Sequence, residues 1–476
     1  MRTNMRITAS SRRRLTVAAA TCALAFGAIV LARAHGVSAE NVVTDATPLA
    51  DGGPRAEVDT PELTGFVALT QGAILANGTR ELFAELRLEA RDVEGETRRR
   101  PVSLAVVLDT SGSMSGDKIA QARRSVQALA DRMHDEDRLA IVTYDSTARL
   151  LQPLAPIGAA RETLASTIER IGAMGGTNIP AGLELGVRSL NDAPGDTIRR
   201  LVLISDGLDG SGQPLPSVAS TVSSRANGGT TTSALGVGVD YDERWLTTIA
   251  DSGRGNYEFL AQGGQLSGFL ARELEQASTT VADRAAVSLE LPDGWRVAEV
   301  YGGSYEAGRV PLGSLFVGER RRVTLRIEAA AGAPGTEHDL PLGLSYVAST
   351  ENEDRNLDLG RLSVSVVGDE AQVVASRDVA LHAEAVAQRI DVLQAQAIEA
   401  WRDGRTAEAE RIARDNEATL HRWRQEAPQA AGMIDQRLEA VNDDLDNFGT
   451  VSARSAEGRA YGLGANAARR SRMEAF

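Results

Sequence analysis

The hydrophobic pattern changes its period along the chain. Residues 15–32 form an uncharged apolar run preceded by arginines. Residues 40–60 have no period and carry Pro48 and Gly52-Gly53-Pro54 as breakers, which predicts a flexible linker. From residue 61 to 101 the stretches are short and alternating, and Leu82-Phe83-Ala84-Glu85-Leu86-Arg87-Leu88 predicts a half-buried strand. Residues 102–280 read differently, as solid apolar runs of strand length separated by segments of helical spacing. Strands are predicted at 104–108, 138–144, 201–205 and 232–239, an antiparallel edge at 148–154, and helices at 119–133, 160–171, 180–190, 242–252 and 266–277. Such alternation predicts an α/β domain with a doubly wound, mainly parallel sheet covered on both faces.

Alternating patterns return at 286–291, 295–301, 321–328, 342–347 and 362–367, separated by turns such as Pro292-Asp293-Gly294. The upstream segment is too short to bury a core alone. Segments 61–101 and 281–368 are therefore predicted to build one β-sandwich, with the α/β domain of residues 102–280 inserted into it. Residues 374–448 have helical period broken at Gly404, predicting a C-terminal helical hairpin or bundle. Residues 449–476, with Arg454, Arg459, Arg469, Arg470 and Arg472 among small residues, read as a basic, disordered tail.

Candidate chemistry sits at strand ends. Asp109-Thr110-Ser111-Gly112-Ser113 follows the first buried strand of the α/β domain, so one carboxylate and two hydroxyls are presented near the start of a helix. Gly175-Gly176-Thr177-Asn178 is a Gly-rich loop carrying a third hydroxyl, and the strand at 201–205 runs into Asp206. In a doubly wound sheet such loops converge at the switch point. Hard oxygen donors of this kind suit Mg²⁺, Mn²⁺ or Ca²⁺ rather than a softer metal.

These three pieces, in this order, resemble the von Willebrand factor A domain and its metal-ion-dependent adhesion site. The resemblance covers residues 102–280 and implies a Rossmann-like fold. It also implies a divalent cation, Mg²⁺ before Mn²⁺ or Ca²⁺, held by Asp109, Ser111, Ser113, Thr177 and Asp206. By the same resemblance Ser111, Ser113 and Thr177 coordinate directly, Asp109 and Asp206 act through bound waters, and the helix at 266–277 occupies the place of an element that shifts in some relatives. The wider layout looks like exported bacterial proteins labelled calcium-activated-chloride-channel-like, and like inter-alpha-trypsin-inhibitor heavy chains.

Composition narrows the setting. Arginines precede the run at 15–32, and Val37-Ser38-Ala39 offers small residues at a cleavage point. Residues 1–39 therefore read as a signal peptide or membrane anchor, and the rest of the chain as extracytoplasmic: periplasmic, cell-surface or secreted. The net charge of −14 argues against nucleic acid as a partner. Cys22, the only cysteine, lies in the signal region, so no disulfide or thiolate site is expected beyond it. Basic charge is almost wholly arginine, Lys118 being the only lysine; this skew reads as coding bias and suggests no function by itself.

Enzymatic readings find little support. The five histidines are scattered without a His-x-x-x-His pair, and there is no Gly-x-Ser-x-Gly elbow or P-loop. The expectation is a non-enzymatic, metal-dependent adhesion or ligand-binding module whose partner is a protein offering an acidic side chain, with membrane contact only through residues 15–32. Two alternatives stand beside it: a cytoplasmic-type partner of an AAA+ ATPase, and a regulator that is channel-like in label but forms no pore.

Overall fold

The computed structural model describes residues 53–92, 99–238, 241–260, 265–349 and 351–474. The expected signal segment and most of the expected linker lie outside these residues. Among the described residues no helix is long and apolar enough to cross a membrane.

Four strands precede the α/β domain: β1 (Arg55–Asp59), β2 (Leu63–Leu69), β3 (Ala73–Leu75) and β4 (Thr79–Ala90). The domain itself runs β5 (Val102–Asp109), α1 (Asp117–Arg132), β6 (Arg138–Tyr144), β7 (Ala148–Pro156), α2 (Ile157–Glu169), α3 (Ile179–Ser189), β8 (Ile198–Ser205), α4 (Leu215–Asn227), β9 (Thr230–Val237), α5 (Glu243–Gly253), β10 (Arg254–Leu260) and α6 (Leu266–Ser278). Six strands follow: β11 (Thr280–Leu289), β12 (Arg296–Tyr301), β13 (Arg309–Phe316), β14 (Arg320–Ala330), β15 (Glu337–Ala348) and β16 (Glu353–Val367). The chain continues through α7 (Glu370–Ala375), α8 (Val379–Arg402), α9 (Thr406–Glu426), α10 (Ala431–Thr450) and α11 (Ala456–Glu474).

The inserted domain has strand order β10-β9-β8-β5-β6-β7, parallel except for the antiparallel edge β7. Every residue of β5 and β9 is buried, because helices cover both faces of the sheet. Two hydrophobic clusters lie on opposite faces of β5: Leu104, Val106 and Leu108 join α1 and α6, while Ala105 and Val107 join α3 and α5. Strand β10 had no counterpart in the hydrophobic pattern. Its Arg-Gly-Asn start is polar, and Arg254 enters it with φ +53°.

The remaining strands form two five-stranded sheets, β1-β2-β4-β14-β12 and β13-β11-β15-β16-β3. Each contains strands from both sides of the insertion. The longest bond across it is β4 with β14, antiparallel in unbroken register from Thr79↔Ala330 to Glu89↔Arg320. One apolar core fills the space between the sheets, with Leu82, Leu86 and Leu88 facing Val287, Leu342 and Val364 in a single cluster.

Three expectations are corrected. Residues 55–59, assigned to the flexible linker, form β1 and bury Ala56 and Val58; the breakers just before them hid a short period-two pattern. β4 is not half-buried: Phe83, on its second face, packs against Ala385 of α8, and Glu85 is wholly buried. There Glu85 lies 2.6 Å from both Arg87 and Arg322, and Arg322 also reaches Glu384 of α8 at 3.1 Å. Alternation reports the pleat, whereas the covering helices are a tertiary fact.

Third, the tail is not disordered. Residues 456–474 are helix α11, and Arg469 is 2% exposed, ion-paired with the buried Asp444 of α10. Asp444 also accepts from Gln394 Nε2 and Tyr461 OH, each at 2.6 Å. Leu463 of α11 completes the α/β domain's cluster around Trp245 and Leu246. Basic residues among small ones can thus line a docked helix when buried acids wait for them.

Arg469→Met should leave Asp444 an under-compensated buried charge and cost about 3 kcal/mol in denaturant melts. Adding Asp444→Asn should recover most of that loss; a single variant as stable as the parent would mean that this ion pair contributes nothing to holding α11. His382 of α8 supplies a pH test. It lies between Phe83 and Trp423, 3.2 Å from Thr70 Oγ1, and burial, with the Arg377 charge adding, lowers its pKa from 6.5 to about 3. In the unfolded chain the ring titrates near 6.5, so the stability tied to its neutral form is complete above that pH and is lost as pH falls toward 3. His382→Phe should lower the acid-side slope of stability against pH by about one proton. An unchanged slope would place the acid sensitivity elsewhere.

Candidate metal centre

The connections from β5 and β8 leave to opposite sides of the sheet, which opens a crevice beyond their carboxyl ends. Asp109 is the last residue of β5 and Asp206 follows the last residue of β8; both are buried. The first loop turns through a 3₁₀ segment at Gly112–Met114, anchored from below by the buried Met114. It is tied to the second loop by Gly112 N–H donating to Gly175 O at 3.1 Å, and the second to the third by Gly210 N–H donating to Thr177 O at 2.8 Å. Asn178 caps α3 through its side chain, which accepts from Ala181 N at 3.0 Å.

All five residues singled out from the sequence meet here. Ser111 Oγ and Ser113 Oγ are 2.9 Å apart, and Ser113 Oγ donates to Asp206 Oδ1 at 2.7 Å. Thr177 enters from the side: a Cβ placed on Gly207 would lie 2.9 Å from Thr177 Oγ1 and 3.6 Å from Ser113 Oγ, so this glycine keeps the third hydroxyl beside the other two. Asp109 stands behind them, accepting from Ser111 N at 2.8 Å and Ser205 Oγ at 2.9 Å. Burial pushes the Asp109 carboxyl above its usual range and the Asp206 charge adds to this, against the Ser111 and Ser205 hydrogen bonds.

Ser205 and Lys118 are the partners that sequence reasoning missed. Ser205 looked like one more buried strand residue, and only the pairing of β5 with β8 aims it at Asp109. Lys118, in the first turn of α1, donates Nζ to Asp206 Oδ2 at 2.5 Å. Its signal was its being the only lysine in the chain. Other nearby acids have structural work. Asp117 is the first-turn acid of α1, and Asp209 accepts from Ile179 N at 3.1 Å and Ser211 Oγ at 2.6 Å. Asp240, also noted beside the sheet end, lies outside the described residues. At the rim, Met174 and Leu208 are 62% and 64% exposed, two of only four exposed large hydrophobics among the described residues.

The donor set fits a hard cation. Among the described residues no group of three or more His, Cys, Asp or Glu side chains could hold a metal, so any ion in this crevice depends on the three hydroxyls beside its two carboxylates. α6 is fastened to the sheet by Glu273, which meets Arg200 at 2.9 Å and accepts from Ser233 Oγ at 2.8 Å, with both charged residues buried. Sliding α6 would break that buried pair, at a cost of about 3–5 kcal/mol.

Comparison with known proteins agrees with this architecture. Residues 103–271 match the family model for the von Willebrand factor type A domain, so the chain contains a VWA domain, a generally metal-dependent protein-interaction module. YfbK of Escherichia coli K12 is 30% identical over 215 residues, 44% of this chain and 37% of YfbK. Inter-alpha-trypsin inhibitor heavy chain H2 of Mesocricetus auratus is 28% identical over 188 residues, 38% of this chain and 20% of its own. The chain thus spans less than half the length of these relatives. In solved structures, a von Willebrand factor type A protein from Catenulispora acidiphila superposes with TM-score 0.60 at 20% identity, covering 81% of this chain and 91% of that one. The ArnB paralog VWA2 from Sulfolobus acidocaldarius gives 0.58 at 16% identity, covering 86% and 98%. These two likenesses extend beyond the inserted domain and speak to fold alone.

Gly207→Ala probes the packing of the third hydroxyl. The added methyl meets the free end of the Thr177 side chain, which can rotate away, so the melting temperature in chelator should stay within about a degree of the parent. Mn²⁺ affinity in a calorimetric titration should fall about tenfold. Unchanged affinity would show that Thr177 Oγ1 is not needed for the ion.

Proposed function

We propose that this chain is an extracytoplasmic, non-catalytic binding module that captures a protein ligand through a divalent cation in the VWA crevice. One observation supports this most: three loops distant in sequence bring three hydroxyls and two carboxylates together at the switch point of the sheet, with Ser113 at the surface and both acids behind it. Ser111, Ser113 and Thr177 would hold the ion directly, while Asp109 and Asp206 would balance its charge from behind. Mg²⁺ is the first choice, Mn²⁺ and Ca²⁺ the alternatives. When bound, the ion supplies a positive charge with a coordination position open to an anionic oxygen.

The protein's own groups would do the rest. Ser205 and the Ser111 amide fix Asp109, so the carboxylate arrangement exists before a ligand arrives. Met174 and Leu208 would give the rim an apolar surface against which a ligand could exclude water from a charge-assisted contact. An acidic side chain on a protein surface matches this combination. No His or Cys lies in the three loops to serve as general base or nucleophile, which favours binding over catalysis. The extracytoplasmic setting rests on the amino-terminal arginines and apolar run.

Pull-down from the native envelope in Mg²⁺, against the same experiment in chelator and with Asp109→Ala, tests the reading. Both treatments should weaken capture about 30-fold or more, while the variant keeps its fold because the loops lie at the rim of the sheet. A specific partner held equally well in chelator and by Asp109→Ala would end the proposal. Fractionation that found the chain in the cytoplasm would end the part about location.

A further inference from the structure

Every basic side chain among the 51 Lys and Arg of the chain is arginine except Lys118. Compositional bias thus spared lysine at one place, and that place is the candidate metal centre. Lys118 is poorly explained by its helix. It lies in the first turn of α1, where a cation opposes the helix dipole. Its ammonium instead meets the buried Asp206 at Oδ2, with the side chain 37% exposed. Gly238 lies beside it, where an added methyl would stand at ordinary contact distance from Nζ, 3.6 Å.

The hydrogen bonds around the two acids form a closed set. Asp206 Oδ1 accepts from Ser113 and Oδ2 from Lys118; Asp109 Oδ1 accepts from Ser111 N and Oδ2 from Ser205. Two negative charges therefore face one resident positive charge. A divalent ion added to this set leaves a net single positive charge, which one incoming carboxylate cancels. Without the lysine the ion alone would neutralise the acids, and the electrostatic demand for an anionic ligand would disappear.

We infer that Lys118 is a built-in counter-ion that weakens metal binding and, in return, makes the metal-loaded centre call for a carboxylate. The inference rests on the metal reading given above. Lysine suits the task better than arginine. An ammonium is a compact point charge that engages one oxygen of Asp206, whereas a planar guanidinium would fork onto both and displace Ser113.

Calorimetric titration of the chelator-stripped full chain with Mn²⁺, with and without acetate as a carboxylate probe, decides it. Lys118→Met should bind Mn²⁺ about tenfold more tightly than the parent, since a like charge beside the ion has gone. Its affinity should respond less to acetate than the parent's does. Lys118→Arg should bind Mn²⁺ more weakly than the parent. In chelator, Lys118→Met should melt below the parent, because Asp206 loses its countercharge, and Mn²⁺ should raise its melting temperature by more. Lys118→Gln, which retains a donor, carries the same expectations if the Met variant does not fold. A parent that binds no Mn²⁺ would overturn the metal reading itself. A parent that binds, with Lys118→Met or Lys118→Gln binding no tighter, would overturn the counter-ion and leave the metal reading standing.

Discussion

Two carboxylates buried at the ends of adjacent parallel strands impose the constraint around which the centre is built. Asp109 and Asp206 are each almost fully removed from water, so every oxygen needs a donor and the pair needs countercharge. The fold supplies the donors from four places: the Ser111 amide, Ser205 at the end of β8, Ser113 on the 3₁₀ turn and Lys118 at the start of α1. Each is positioned by an element whose burial lies elsewhere. The arrangement is thus held by the core beneath it: Tyr144, fully buried, donates its hydroxyl to Ile204 O directly under the crevice.

The same logic of buried charge recurs where layers meet. Arg99 grips the buried Asp137 with two bonds of 2.8 Å where the chain enters the inserted domain, and Asp137 also caps Val102 N. Arg200 and Glu273 fasten α6 to the sheet, Arg322, itself paired with the buried Glu85, joins the sandwich to α8 through Glu384, and Asp444 and Arg469 dock α11. Such pairs add little net stability against an apolar alternative, but losing one partner is expensive, so they favour one arrangement of the layers over others. With aromatics at only 4% of the chain, cores built from small and aliphatic side chains leave geometric specificity to these polar contacts.

Legibility in the sequence follows the range of the signal. Continuous apolar runs at β5, β6 and β8 announced a sheet buried on both faces, because period and length are local properties. The five residues of the candidate centre were legible for a related reason: each lies directly at the end of such a run or in a glycine-rich turn. β10 and β13 were not, since their polar or glycine-interrupted sequences become strands only by pairing with β9 and β11.

The sequence by itself determined which residues could be donors and, where an apolar period is clear, which segments form strands or helices, since those depend on side-chain chemistry and on spacing along the chain. Only the tertiary structure decided which donors face which acids. Ser205 and Asp109 are 96 residues apart and Lys118 and Asp206 are 88 apart, and parallel pairing of β5 with β8 makes them neighbours. It also decided that the outer face of β4 is covered at Phe83 and Glu85 and that Arg469 of the last segment points inward. Burial depends on what packs against a surface, and the packing partners here come from segments hundreds of residues away: Glu384 reaches Arg87 across 297 positions.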